Sequence, residues 1–317
     1  MRLFDLHCDT LTACLDSAES LWANDRQLDI RRGRPLFSHW AQVMAVYVPD
    51  GMTPKDAYGY LLQSLSYLDE QEKTIEAVRI VRTADDLNRA LSCGKTALLS
   101  ALENGSAVAS DLNVINQLAA QGIVYITVTW NGENPLGHGC MSHSRDGLTP
   151  LGKDAVRRML SCGIVPDVSH LNERGFWDVA ALCDGHPMMA SHSVSRAVHE
   201  HPRNLTDEQF AAVKQAGGIV GINLCESQLG EQSFTTCAKH LEHFLSLGGE
   251  NMLALGLDLD GTPLCKEWGD VTFLPKFYEF LLKSYEQSLL DKIFFENAQA
   301  FFVKTLTRKE ECITIGL

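Results

Sequence analysis

Short apolar stretches and amphipathic stretches alternate along most of the chain. About eight of the apolar stretches have the composition of strands, at 3–9, 42–48, 96–102, 124–129, 164–168, 188–190, 219–223 and 252–257. Strands that alternate with helical segments predict a parallel sheet, and strands without polar alternation are buried on both faces. About eight such repeats in 317 residues fit a (β/α)8 barrel of the TIM type better than an open doubly wound sheet. We therefore expect one α/β domain over residues 1–317.

Capping signals mark several helix boundaries. Thr53-Pro54 begins a helix whose apolar residues from Tyr58 to Leu68 recur at helical spacing. Thr83 and Asp86 have the spacing of a capping box, which predicts a short helix to Ser92. Further helices are predicted at 111–121, 150–162, 172–183, 207–216, 234–247, 272–283 and 296–306. Residues 10–36 are predicted to form a long loop that carries short helices.

The composition is that of an ordinary globular protein, with 45% hydrophobic and 21% charged residues. The formal net charge of -13 argues against nucleic acid and anionic membranes as partners. No apolar run reaches the roughly 18–20 residues of a membrane span, and Met1-Arg2 leads directly into the first strand. Ten cysteines occur singly, without a CxxC pair, which favours reduced thiols and a cytoplasmic location. No glycine-rich nucleotide motif stands at a strand–helix turn.

The first strand ends in His7-Cys8-Asp9. Because successive side chains on a strand face opposite ways, His7 and Asp9 share one face and Cys8 points to the other. An imidazole and a carboxylate on one face are suitable ligands for a divalent metal. On its own, the pattern is more often that of a strand followed by a turn with an incidental histidine.

Later strands also end in residues that can bind metal. Glu103 follows the third strand, His170 the fifth, His192 the sixth and Asp258 the eighth. All strand C-termini of a (β/α)8 barrel open onto one face, so these side chains would converge with His7 and Asp9. Singly, each could be a solvated loop residue, a core histidine or a turn cap. The joint pattern favours one metal site.

Three imidazoles and several carboxylates suit Zn²⁺ or a similar first-row ion. Five ligands are too many for one tetrahedral ion with an open position, and they suit two ions that share a bridging carboxylate. Two neighbouring ions can hold a bridging hydroxide and polarise a carbonyl. A carboxylate beside them can carry a proton to the leaving group. The pattern thus predicts a two-metal hydrolase.

A set of short motifs resembles the membrane dipeptidase (renal dipeptidase) family of metallopeptidases in the amidohydrolase superfamily. The motifs occur in family order between residues 3 and about 261. They are Asp5-Leu6-His7-Cys8-Asp9-Thr10, Leu102-Glu103-Asn104-Gly105, Thr127-Val128-Thr129-Trp130-Asn131, Asp167-Val168-Ser169-His170, Ala190-Ser191-His192-Ser193, His201-Pro202-Arg203-Asn204-Leu205 and Gly256-Leu257-Asp258-Leu259-Asp260-Gly261.

The resemblance implies a role for each matching residue. One zinc ion would be held by His7 and Asp9, and a second by His170 and His192. Glu103 would bridge the two ions. Asp258 would be the proton shuttle, and Arg203 would pair with the substrate's terminal carboxylate through its bidentate fork. The implied reaction is hydrolysis of dipeptides, including L-Xaa-D-Xaa dipeptides, by a metal-bridging hydroxide, and a homodimer is common in the family.

The sequence departs from the family pattern near the substrate. Many superfamily members bridge their metals with a carbamylated lysine after strand four, but Thr129-Trp130-Asn131 contains none, consistent with Glu103 as the bridge. The family often has a substrate-contacting histidine at Trp130. Its replacement would come from the Trp130 indole N–H or from Asn131, His138 or His143. Cys225 stands where the family often has a tyrosine, which indicates a different side-chain preference.

Two other functions compete with the dipeptidase. The same ligand set would serve a superfamily hydrolase that acts on another small amide, lactam, lactone or ester, and Arg203 is the residue that separates the two. A metal-dependent binding protein without catalysis is the second alternative. Such proteins usually lose a ligand or the shuttle, whereas all six positions are filled here.

Overall fold

The structure is a computed structural model that describes residues 1–314. Eight parallel strands close into a barrel, with each strand paired to its neighbours and the last paired to the first. They are β1 (Arg2–Cys8), β2 (His39–Tyr47), β3 (Thr96–Glu103), β4 (Ile123–Thr127), β5 (Val165–Asp167), β6 (Met189–Ala190), β7 (Ile219–Ile222) and β8 (Leu253–Leu255). The predicted (β/α)8 barrel is confirmed.

Helices connect the strands and surround the barrel. Their bounds are Thr10–Ser17, Ile30–Gly33, Pro54–Thr74, Ala84–Ser92, Val114–Gln121, Pro150–Ser161, Glu173–Leu182, Asp207–Gln215, Glu226–Leu229, Phe234–Ser246, Leu274–Leu281, Gln287–Asp291 and Asn297–Thr314. A π-helical segment, Lys292–Glu296, leads into the last helix. Within the described residues, no helix has both the length and the apolar character needed to cross a membrane.

The capping predictions are confirmed. Thr53 accepts a hydrogen bond from the backbone of Asp56 at the start of its helix. Thr83 and Asp86 form a reciprocal capping box. The helix predicted from residue 111 begins at Val114 instead. The side chain of Asp111 accepts a hydrogen bond from the backbone N–H of Asn113 at 2.9 Å, and this local turn competes with helical geometry.

Two strand elements were not predicted. Val78–Ile80 pairs with β3 outside the barrel, and three residues are too few for a recognisable alternation. Glu133–Asn134 and Gly137–His138 form a small antiparallel ribbon in the loop after β4. The ribbon and its loop border the open end of the barrel.

Alternate residues of each strand fill the barrel interior. On β3, Leu99 belongs to the interior cluster, while Leu98 and Leu102 pack outward against the helices. The cluster continues to the N-terminal mouth, where Phe4 stacks on Phe302 of the last helix at 5.2 Å. Aromatic side chains therefore close the N-terminal mouth. The polar residues at the strand C-termini lie at the opposite, open end of the barrel.

Candidate metal and active site

His7 and Asp9 meet two carboxylates from distant strands. The pairing between β1 and β2 shifts register between Asp5 and Cys8, an irregularity common beside active sites. Nε2 of His7 lies 3.6 Å from an Asp9 oxygen, 3.5 Å from Oε2 of Glu103 and 3.7 Å from Oδ1 of Asp258. The structure therefore brings these four predicted residues together.

The other oxygen of Glu103 faces a pair of histidines. Its Oε1 lies 2.8 Å from Nε2 of His170 and 3.8 Å from Nε2 of His192. The two imidazole nitrogens are 2.9 Å apart. One carboxylate is thus shared between His7 on one side and the His170–His192 pair on the other.

The hydrogen bonds of Tyr125 fix the tautomer of His7. The Tyr125 hydroxyl donates to the backbone carbonyl of Leu6 at 2.9 Å. Since a hydroxyl has only one proton to donate, Nδ1 of His7, 2.8 Å away, must carry its own hydrogen and donate to the oxygen. The lone pair of neutral His7 is therefore on Nε2, which faces the carboxylates.

A buried hydrogen-bond chain of Asp167 and Ser191 fixes the tautomer of His192. Ser191 Oγ donates to Asp167 at 2.6 Å, so Nδ1 of His192, 2.7 Å from that oxygen, carries the hydrogen. Asp167 is fully buried and also accepts hydrogen bonds from Thr127 and Ser169. Histidine ligands of metals commonly have such a hydrogen-bonded support.

Asn131 supports the third histidine. Its Oδ1 lies 2.9 Å from Nδ1 of His170, and a carbonyl oxygen only accepts, so Nδ1 donates and Nε2 has the lone pair. The structure gives Asn131 this orienting contact, and a direct contact with substrate remains a prediction.

The donor set fits divalent cations. Three Nε2 lone pairs and the Glu103 carboxylate face one another, and Nε2 of His7, Oδ1 of Asp9 and Oε2 of Glu103 are buried without a hydrogen-bond partner among the described residues. Buried acceptors that face only acceptors are strongly unfavourable unless a cation lies between them. Imidazole and carboxylate are typical zinc ligands.

The electrostatics agree with a cation site. Burial, with the positive charge of Arg203, lowers the pKa values of His170 and His192 well below the usual value and keeps these imidazoles neutral. Burial and the Asp9 carboxylate raise the pKa of Glu103 to about 7. For His7, burial lowers the pKa, but Tyr125 and the nearby carboxylates outweigh it and raise the pKa well above normal. The space around Nε2 of His7 therefore attracts positive charge.

Asp258 is held in an unusual backbone conformation. Its φ of 60° lies in the left-handed region, a conformation uncommon for residues other than glycine. Its N–H donates to the carbonyl of His7 at 3.1 Å. Burial, together with the Asp9 and Glu103 carboxylates, raises the pKa of Asp258 well above normal. A carboxyl group with a raised pKa can carry a proton near neutral pH.

Gly261 lets two carboxylates approach each other. A Cβ atom at this position would lie 2.3 Å from an oxygen of Asp9 and 2.3 Å from an oxygen of Asp258. Any side chain here would therefore push the carboxylates out of place.

Arg203 reaches the same site from the loop after β6. It is only 4% exposed. Its Nη2 lies 3.1 Å from Nε2 of His170 and donates to the carbonyl of His192 at 3.3 Å. Its Nε and Nη1 are buried and have no hydrogen-bond partner in the described part of the chain. The buried guanidinium thus has free donors for an anion on Nε and on Nη1.

A cavity of about 380 Å³ is lined by Asp9, Glu103, His170, Arg203 and Asp258 from this site. Trp130 lies on its wall, packed edge-on against Tyr47 with ring centroids 5.0 Å apart. Cys225 also lines the cavity. His138 and His143, considered as substitutes for the family histidine, are not among the lining residues of this cavity, and His138 lies 3.4 Å from Glu133 instead.

Sequence reasoning missed several residues that support the site. Tyr125 was recognised only as part of a strand, although its position two residues from Thr127 places both side chains in the barrel. Ser191 immediately precedes His192, and Asp167 lies in the same motif as His170. Their proximity to the ligands was a usable signal, but their hydrogen bonds cross between strands and follow only from the fold.

The model of the family described as membrane dipeptidase (peptidase family M19) matches residues 1–311. This chain belongs to the membrane dipeptidase family. Its members are metallopeptidases, and the chain is accordingly a metallo-dipeptidase-type hydrolase.

Individual members of the family are similar over most of their length. A Klebsiella pneumoniae protein described as uncharacterized, from the pqqA 5′ region, is 32% identical over 259 residues, which cover 77% of this chain and 95% of that protein. The crystal structure of the dipeptidase AC, an M19 metallopeptidase, is 26% identical with a TM-score of 0.89 and covers 96% of this chain and 99% of that one.

A second solved member was crystallised with a ligand. The Rhodobacter sphaeroides metallopeptidase is 26% identical, with a TM-score of 0.88 and coverage of 96% of this chain and 99% of that chain. It was liganded with a phosphinate mimic of the dipeptide L-Ala-D-Ala.

Proposed function

We propose that this membrane dipeptidase family member is a binuclear zinc dipeptidase that hydrolyses free dipeptides, including L-Xaa-D-Xaa dipeptides. The observation that carries the proposal is the shared carboxylate of Glu103. One of its oxygens faces His7 and the other faces His170. That division is the arrangement required of a ligand that bridges two ions.

The proposed ligands divide into one set on each side of the Glu103 carboxylate. His7 and Asp9 would hold one zinc ion, His170 and His192 the other, and Glu103 both. Bound zinc supplies a Lewis acid that polarises the scissile carbonyl and lowers the pKa of a water molecule so that it becomes a nucleophile at neutral pH. Tyr125, Ser191 and Asn131 keep the three imidazoles in the tautomer that presents Nε2.

Asp258 moves the proton. Its side chain is 13% exposed and lines the cavity next to His7, so it can contact both the nucleophile and the leaving group. In the proposed reaction Asp258 accepts a proton from the attacking water and donates it to the nitrogen of the departing amino acid. The amine leaves as a neutral group, which lowers the barrier to C–N cleavage.

Arg203 selects for the length of the peptide. Its Nε and Nη1 have free donors, and each shares one edge of the guanidinium with Nη2. One of these edges would bind the C-terminal carboxylate of the substrate. Nη2 of Arg203 lies only 3.1 Å from Nε2 of His170, so a carboxylate bound to Arg203 would lie close to the proposed metal ligands. That closeness would limit the substrate to a dipeptide. The L-Ala-D-Ala mimic bound to the Rhodobacter sphaeroides protein supports a D-residue at the C-terminal position.

A panel of dipeptides tests the proposal. Zinc-loaded protein is assayed on L,L and L,D dipeptides and on their C-terminal amides, and metal analysis counts the zinc per chain. We expect about two zinc ions, turnover of free dipeptides and poor turnover of the amides. Arg203→Ala should lower kcat/KM for the best dipeptide by about 100-fold or more. Absence of hydrolysis across the panel rejects the proposal, and an unchanged Arg203→Ala variant points to a different amide, lactam or lactone.

A further inference from the structure

Gln228 carries a side-chain hydrogen-bond donor on the wall of the cavity. The residue lies in the short helix Glu226–Leu229 after β7, is only 6% exposed and lines the cavity. Its side-chain oxygen accepts a hydrogen bond from Nδ2 of Asn223. Among the described residues its Nε2 has no acceptor. This amide N–H is therefore free to donate to a ligand in the cavity.

The orientation of the Gln228 amide follows from its neighbours. Asn223 is fully buried, and its Nδ2 donates to the backbone carbonyl of His192 at 3.3 Å. A carbonyl only accepts, so the nitrogen of the Asn223 amide is fixed at this position. The same nitrogen donates its second hydrogen to Gln228, which fixes Oε1 toward Asn223. The Nε2 group must then point away from Asn223.

Two sets of hydrogen bonds link the Gln228 residue to Arg203, one through the backbone of His192 and one through Asn204. The carbonyl of His192 accepts from Asn223 at 3.3 Å and from Nη2 of Arg203 at 3.3 Å. The side chain of Asn204, next to Arg203 in sequence, donates to the backbone carbonyl of Gln228 at 2.8 Å. The side chains of Arg203 and Gln228 are thus linked through His192 and Asn204, and both line the same cavity.

We propose that Gln228 is a second residue that binds the C-terminal carboxylate of the substrate, with Nε2 donating beside the guanidinium of Arg203. The inference rests on the proposed dipeptidase function and names a residue that determines its specificity. A carboxylate has about four lone-pair sites, of which a bidentate arginine uses two. The Gln228 amide donates to a third. It distinguishes a carboxylate from a carboxamide, whose –NH₂ group presents donors to it.

Gln228→Glu is the variant that tests the Nε2 donor most directly. The new carboxylate keeps the length of the side chain and the acceptor for Asn223, but an oxygen replaces the Nε2 donor and repels the carboxylate of the substrate. The fold should be retained, which thermal unfolding checks. Glu226→Gln, on the same short helix and exposed away from the cavity, is the matched control and should behave as the wild type.

Binding is measured apart from turnover. Calorimetry on the metal-loaded proteins uses a phosphinate mimic of L-Ala-D-Ala and the same molecule with a C-terminal carboxamide. The wild type should prefer the carboxylate form. Gln228→Glu should weaken binding of that form by about 10- to 100-fold, the loss of a hydrogen bond to a charged group, and leave the carboxamide form within about twofold. For turnover of free dipeptides, KM should rise more than kcat falls.

Two results would overturn the inference. One is a Gln228→Glu variant whose affinity falls equally for the carboxylate and carboxamide forms. In that case Gln228 only supports Asn223. The other is a wild type without preference for the carboxylate. A wild type that hydrolyses no dipeptide, yet prefers the carboxylate in a Gln228-dependent way, rejects the dipeptidase proposal alone.

Discussion

Nδ1 of His7 donates a hydrogen bond to the hydroxyl oxygen of Tyr125, 2.8 Å away. The same hydroxyl donates to the carbonyl of Leu6, so its single proton is already used. The phenol therefore holds the His7 ring with Nε2 toward the carboxylates. The residue that decides which nitrogen of His7 is available to a metal ion lies on β4, far from His7 in sequence.

Removal of that hydroxyl should weaken one metal site. Tyr125→Phe frees Nδ1 of His7, and loss of such an outer support typically lowers metal affinity about 10- to 100-fold. Titration of the metal-free protein with zinc should show one weakened step and one unchanged step. Tyr58→Phe, whose hydroxyl contacts Gln117 at an exposed position, should leave both steps unchanged. Two unchanged steps in Tyr125→Phe would contradict the orienting role.

A methyl group at Gly261 should disable the site without unfolding the protein. In Gly261→Ala, the Cβ would displace Asp9 and Asp258, each 2.3 Å away. A displacement of about 1 Å at a reacting group can lower the rate about 100-fold. We expect a loss of that order in kcat/KM. Gly59→Ala is the control, because nothing lies within 4 Å of its Cβ and alanine should stabilise its helix by up to about 1 kcal/mol.

The proton-shuttle role of Asp258 can be separated from its backbone role. Asparagine tolerates the left-handed conformation that Asp258 adopts, so Asp258→Asn should keep the loop in place while it removes the titrating group. We expect kcat to fall by about 10²- to 10⁴-fold, with the zinc content and KM nearly unchanged. Retained kcat with normal metal content would assign the proton transfer to another residue.

Lys309 makes stability depend on pH. The residue is 1% exposed, and burial lowers its pKa from 10.5 to about 8. Between these values the unfolded chain binds a proton that the folded protein does not, so the free energy of unfolding rises with pH. At pH 7 the lysine is charged in both states, and its burial costs about 3 kcal/mol, at about 1.36 kcal/mol for each tenfold change.

Lys309→Met should therefore stabilise the protein at pH 7 by up to about 3 kcal/mol. The gain should shrink as the pH rises above about 8, where the buried lysine of the folded wild type becomes neutral, and it should nearly vanish near pH 10.5, where the unfolded chain also loses its proton. Denaturant unfolding at pH 7 and 9.5 measures both values. Lys304→Met, at an exposed position of the same helix, should give little change at either pH. A gain that does not depend on pH would assign the effect to packing.

The barrel, and the convergence of the proposed metal ligands at one end of it, could be predicted from the sequence because each signal is local. Glu103, His170 and His192 each follow an apolar strand directly, and barrel geometry brings such positions to one end. The short strand Val78–Ile80 was missed because three residues show no period. The start of the helix at Val114 was missed because an aspartate turn precedes it.

The contacts between distant residues could not be predicted. A substrate contact of Asn131 stays a prediction, and no motif indicated the contact of its amide with His170. Gln228 has no motif, and its donor is defined only by the hydrogen bonds of Asn223. Gly261 appears in sequence as an ordinary turn residue, and its necessity follows from the distance between two carboxylates. Residue type determines what can bind metal, whereas orientation depends on neighbours that the fold supplies.

The pairing of β1 with β8 has a consequence for biosynthesis. The hydrogen bond from the backbone of Leu257 to Asp5 spans 252 positions, and Asp258 follows at once. Closure of so long a segment is entropically expensive and slow. A nascent chain on the ribosome therefore has His7 and Asp9, two of the proposed zinc ligands, long before it has Asp258, the proposed proton carrier. Peptide hydrolysis can begin only after the last repeat has docked, so enzymatic activity reports that folding is complete.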